Sequence, residues 1–191
     1  MPILAREPDC FPPDLFDSLA ADDLGGEARC DGRWWVARTQ SRREKDLMRR
    51  LGASGVSFYC PVIGRRTRAP SGRIRESFVP LFSGYVFLHG SEEARLAALT
   101  TNCTASILAV DDQDRLIREL SQIRQLLASN LPIAPEEKLE AGRPVRVVTG
   151  PLRGQEGVVI ERLGKRRLLV TVELLQRGAS VDLDECDVEP I

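Results

Sequence analysis

Apolar positions recur along this chain in two rhythms, one that alternates helical and extended segments up to about residue 128 and one of closely spaced extended runs beyond residue 142. Residues 33–39, with Trp34, Trp35 and Val36, predict a strand from their aromatic and β-branched content. Ser41 and Glu44 then have capping-box spacing, which predicts a helix that buries Leu47, Met48 and Leu51 on one face and stops at Gly52 or Gly55. Residues 56–63 predict a second strand, Pro61 marking an edge or a bend. Residues 78–88 predict a strongly apolar strand, with Gly84 at a bulge or close approach. A short helix over 91–100 and a strand over 105–110 follow. Asp111 and Asp112 are placed to cap a helix in which Leu116, Ile117, Leu120, Ile123 and Leu127 repeat at helical spacing.

The remaining segments set the organisation. Residues 129–141 hold two prolines and three glutamates without periodicity and predict a linker. Strand-like runs at 145–148, 157–160, 168–175 and 179–183 leave no room for a helix and predict a small barrel. Residues 1–32, with Pro12, Pro13, Gly25 and Gly26 among scattered acids, predict a flexible leader, although Leu15, Phe16, Leu19 and Leu24 could form an amphipathic turn or two. The domain reading is therefore 1–32 leader, 33–128 first domain, 129–141 linker and 142–191 second domain. A length of 191 residues suits two compact units.

Charge sharpens this picture, because the formal net charge of −1 conceals its distribution. Residues 1–31 carry two arginines against eight acids, residues 32–135 sixteen basic groups against nine acidic, and residues 136–191 nine against eleven. The basic excess lies in the middle, where Arg65, Arg66, Arg68, Arg73 and Arg75 surround a turn-forming Ala69-Pro70-Ser71-Gly72 and predict a basic hairpin or loop. Five cysteines, odd in number and without paired close spacing, indicate neither a zinc site nor a disulfide framework. No run of apolar residues is long enough for a membrane span, and the expected location is the cytoplasm.

Three segments together resemble the NusG family of transcription factors, with the specialised paralogues of the RfaH type the nearer match. They are Trp34-Trp35-Val36, the stretch from Pro80 through Leu81, Phe82, Gly84 and Tyr85 to Phe87, and the glycine turn of residues 147–157, which is similar to a KOW motif. The resemblance implies an α+β fold: an NGN-type, mostly antiparallel four-stranded sheet flanked by helices, followed by a small all-β, SH3-like KOW barrel. It implies a monomeric elongation or antitermination factor without cofactor or enzymatic activity. By resemblance, Trp35, Phe82, Tyr85 and Phe87 would dock on the β′ clamp helices of RNA polymerase, and Arg65, Arg66, Arg68, Arg73 and Arg75 would face upstream or non-template DNA.

The KOW turn of Gly150, Leu152, Gly154, Gln155 and Gly157 would recruit a ribosomal protein or the termination factor Rho. Gln155 stands where the family often has an aromatic, and an amide desolvated in an apolar pocket weakens that recruitment. The glycines are turn residues that need permissive dihedrals, since no Gly-Lys-Ser/Thr follows to make a phosphate loop. His89, the one histidine, has no positioned nucleophile or second ligand and is read as structural. Trp34 and Trp35 point to opposite faces of their strand, so one is expected in the core and only the other at the surface. The alternative reading is a translation-associated KOW protein that binds ribosomal RNA through basic surface; the acidic balance of its barrel half argues against it.

Overall fold

A computed structural model describes residues 7–22, 32–68, 72, 74–139, 142–162, 164–183 and 187–191, those of 20–22 and 75 by backbone alone. The chain divides into two compact units, residues 1–111 and 112–191.

The first unit runs β1 (Cys10–Phe11), α1 (Leu15–Asp22), β2 (Arg33–Thr39), α2 (Glu44–Ala53), β3 (Ser57–Tyr59), β4 (Val62–Arg68), β5 (Ile74–Pro80), β6 (Tyr85–Gly90), α3 (Glu92–Thr100) and β7 (Thr104–Ala109). An antiparallel sheet in the order β1-β3-β6-β2-β7 forms its centre, and β4 pairs with β5 as a separate two-stranded ribbon. On one sheet face Trp35, Ala37, Phe58, Val86 and Leu88 meet Leu47, Met48 and Leu51 of α2 and Ala98 of α3. Each of those leucines, removed from water, contributes on the order of 2 kcal/mol of transfer free energy.

Several sequence expectations change here. The sheet has five strands among the described residues, because part of the expected leader joins it: β1 pairs with β3, and Leu15 and Phe16 of α1 are buried. Phe16 packs edge-on against Tyr59, with ring centroids 5.0 Å apart, and lies 5.9 Å from Trp34. Both tryptophans are consequently buried, since helices cover one face of β2 and α1 reaches the other. Leu24 lies outside the described residues.

The strand expected over 78–88 is broken into β5 and β6 by a turn at 81–84, in which the Tyr85 N–H donates to the Phe82 carbonyl at 3.1 Å. Likewise the run at 56–63 divides into β3 and β4 around Cys60 and Pro61, a proline bend. The capping box does not form. Among the described residues no side chain caps the start of α2, and Glu44 turns inward instead.

The second unit begins with α4 (Gln113–Ala128), whose N-terminus is capped as expected: the Arg115 N–H donates to Asp112 Oδ1 at 2.9 Å. It continues with β8 (Ile133–Glu136), β9 (Arg143–Val147), β10 (Glu156–Arg162), β11 (Lys165–Val172), a 3-10 turn at Glu173–Leu175, β12 (Arg177–Asp182) and β13 (Val188–Pro190). These strands form one antiparallel sheet in the order β13-β9-β10-β11-β12-β8. The segment expected as a linker thus contains a strand, β8, paired to β12. Helix α4, expected to close the first domain, packs on β11 in this unit.

Polar groups attach α4 at two places. Arg115 reaches both Glu119 and Glu173, while Glu119 accepts the Glu173 backbone N–H at 3.2 Å. Burial holds the Glu119 carboxyl above the usual carboxylate range, against the opposing pull of Arg115. Further along the helix, Gln155 Nε2 donates to Gln125 Oε1 at 2.9 Å.

Candidate functional site

The turn between β5 and β6 is built around the backbone of Gly84. Its N–H donates to the buried carboxylate of Glu44 at 2.7 Å, and its carbonyl accepts the Thr39 N–H at 2.8 Å. A φ of +86° at Gly84 is readily reached only without a side chain. One glycine is therefore held from both sides, and the aromatic residues on either side of it inherit a fixed position.

Of the four aromatic residues singled out in the sequence, three are buried. Phe82 and Phe87 are 2% and 0% exposed and meet edge to face at 6.1 Å, so their rings are occupied within the protein. Trp35, 9% exposed, is covered by the guanidinium groups of Arg33 and Arg95 at 4.9 and 5.5 Å from its ring centre. Only Tyr85 keeps appreciable exposed surface.

Register separates them further. Directly opposed residues of antiparallel strands share a face, and the pairs Val36↔Phe87, Arg38↔Tyr85 and Trp35↔Leu88 put Phe87 and Tyr85 on one side of the sheet and Trp35 on the other. The aromatic set is not a single patch.

The arginine hairpin is present as the β4–β5 ribbon, with Arg65, Arg66 and Arg68 exposed. Arg75 stands opposite Thr67 in the register, and Arg73 lies outside the described residues. Phe78 packs beside Gly64, where an added Cβ would lie 4.0 Å from its ring. A ring laid over a glycine compensates for the missing side chain in an otherwise polar ribbon.

In the second unit the glycine turn leads into β10. Gly150 and Gly154 have φ of +81° and +86°, and a Cβ on Gly157 would stand 2.5 Å from the Leu169 carbonyl oxygen. Leu152 and Gln155 are both buried, at 1% and 4% exposed, with Gln155 turned toward Gln125. Gln155 is thus desolvated within its own unit and not in a partner's pocket, a cost offset in part by that amide pair, while its Oε1 has no hydrogen-bond partner among the described residues.

Sequence reasoning missed two residues that build these sites. Glu44, expected in a helix cap, pairs with Gly84 forty residues downstream, and nothing local in the sequence signals that pairing. Gln125 was hidden on the polar side of α4. His89 is buried, with its ring centre 5.2 Å from that of Trp34 and against Gly32, where a Cβ would meet it at 2.5 Å; the position is one of packing. Among the described residues no three His, Cys, Asp or Glu side chains converge on a possible metal site, and no helix is long and apolar enough to cross a membrane.

The family model described as transcription termination factor nusG matches residues 32–141. The chain belongs to the NusG family. The match runs from the first residue before β2 through the ribbon, the Gly84 turn and α4 to the segment after β8, and so includes every element around the aromatic turn except those contributed by residues 10–22. No match was found among curated proteins.

Proposed function

We propose that this NusG-family chain is a transcription elongation or antitermination factor that binds RNA polymerase through its first unit, touches nucleic acid with the β4–β5 ribbon, and holds a KOW-type barrel beside the complex. The observation that carries this reading is the family match over residues 32–141, which spans both the rigid Gly84 turn and the exposed arginines. Tyr85 is the polymerase contact favoured by its exposure. Phe82 and Phe87 act beneath it as the packing that fixes its position, and Trp35 belongs to the core on the other face.

Binding, and no chemistry of its own, suits these residues. The ribbon offers charge for phosphates, whose contacts are salt-sensitive and poor in sequence information. The barrel would bring a second partner to the complex, its local concentration raised by covalent attachment to the bound unit. In this reading Leu152 and Gln155 serve the interior of the second unit, and a partner protein would meet exposed groups such as Arg166 on the β10–β11 hairpin. The NGN and SH3-like names for the two units, monomeric action and a cytoplasmic setting belong to the same proposal.

The ribosomal alternative draws little support from the second unit's charges. Arg146 pairs with Glu156, Arg162 with Glu136, and Lys165 and Arg167 with Asp182. Paired cations leave less net field for ribosomal RNA.

The test is direct binding of the full chain to purified core RNA polymerase. A true aromatic anchor is worth ~2 kcal/mol or more, so Tyr85→Ala should weaken binding ~30-fold or more while leaving the fold intact. Wild-type affinity in that variant, or sedimentation with ribosomes in place of polymerase binding, would overturn the assignment.

A further inference from the structure

The ribbon has two chemically different faces. By the rule that opposed residues share a face, the register places Gly64, Arg66 and Arg68 with Phe78, Glu76 and Ile74 on one side, and Ile63, Arg65 and Thr67 with Val79 and Ser77 on the other. The first face holds the ribbon's one acid. There Glu76 Oε1 lies 3.7 Å from Arg66 Nε, the Phe78 ring rests beside Gly64, and Ile74 is 68% exposed.

The second face carries exposed Arg65, Thr67 and Ser77 with no acid between them. The Ser77 hydroxyl donates to the Arg65 carbonyl at 3.4 Å, which ties the two strands together at that level. The Arg65 guanidinium beside the Thr67 hydroxyl is suited to phosphate oxygens, where charge-assisted hydrogen bonds are strongest, whereas the Ser77 hydroxyl has its proton on the Arg65 carbonyl.

Resting on the nucleic-acid reading of the ribbon, we infer that its Arg65–Thr67–Ser77 face meets the phosphodiester backbone, while Glu76 repels phosphate from the opposite face and so fixes how the ribbon rolls onto its partner. The acid has two effects on its own side. It compensates Arg66, and at that level it sets a like charge against phosphate, while Arg68 shares the same face further along the ribbon; repulsive elements of this kind give specificity of orientation.

The experiment measures binding of the full chain to a mixed-sequence DNA duplex and to the matching single strand over a salt series. Losing one phosphate contact lowers the slope of log affinity against log salt by about 0.9 on a duplex and about 0.7 on a single strand. Arg65→Gln should show that fall on whichever probe is the true ligand, and Arg66→Gln less than half of it. Glu76→Gln should tighten binding, and in its background Arg66→Gln should cost as much as Arg65→Gln.

Equal falls for the two arginine variants in the wild-type background, or binding indifferent to Glu76, would overturn the face assignment. If combined replacement of Arg65, Arg66 and Arg68 leaves affinity and slope unchanged on both probes, the nucleic-acid reading of the ribbon fails with it.

Discussion

The aromatic turn and the arginine ribbon are adjacent in the chain and use their conspicuous residues in opposite ways. Around Gly84, Phe82 and Phe87 are packed away and the backbone is held by Glu44 and Thr39. In the ribbon, from Gly64 to Arg68, the side chains are exposed, and cross-strand pairing supplies the order. Large apolar side chains gain most by leaving water, so an aromatic-rich motif tends to be a scaffold first. Arginines in a two-stranded ribbon gain little from folding and remain available to a partner.

That contrast predicts a graded response to substitution. Phe87→Ala should destabilise the first unit by about 3–5 kcal/mol, the usual cost of deleting a fully buried phenyl ring, read from chemical denaturation. A loss below 1 kcal/mol would mean that the ring is not part of the scaffold. Glu44→Ala should cost about 1–3 kcal/mol by leaving the Gly84 N–H without its acceptor. It should also speed amide exchange at Gly84 and Tyr85, which a loss of packing elsewhere would leave unchanged.

A smaller effect is expected in the second unit. Burial raises the Glu119 carboxyl in the folded state, so the native form binds its proton more readily than the unfolded chain. The associated stabilisation is present below the unfolded value and is lost as pH rises through the raised folded one. The stability of the wild type relative to Glu119→Gln should therefore fall as pH rises from the unfolded carboxylate value through the raised folded one and hold constant beyond it. Parallel curves throughout would dismiss the burial effect. Smallest of all, Arg65→Gln should change stability by less than about 0.5 kcal/mol, the range of exposed substitutions; a larger loss would make that arginine part of the scaffold as well.

Much of the architecture was legible in the sequence wherever period and chemistry agreed. The strand at 33–39, the helix of Leu47 and Leu51, the Asp112 cap and the basic hairpin all correspond to observed elements. The parts that were not legible depend on partners distant in sequence. Leu15 and Phe16 form too short an apolar patch to predict order, and they become core only because Tyr59 and Trp34 face them. Pro135 argues against a strand, yet β8 is at an edge of its sheet, the position in which a missing N–H is tolerated. The aromatic set follows a related logic: residue type names good anchors, whereas burial decides which of them remain accessible, and of the four only Tyr85 is partly exposed.

The position of β8 has a practical consequence for dissection of the molecule. It caps β12 through the register Gly178↔Glu136 to Val181↔Ile133 and so covers a row of backbone donors and acceptors. A fragment beginning at residue 142 would leave that row open, and an uncovered strand edge is a template for self-association. Insolubility of such a fragment would reflect a lost protective strand, while one beginning at residue 112 would retain it.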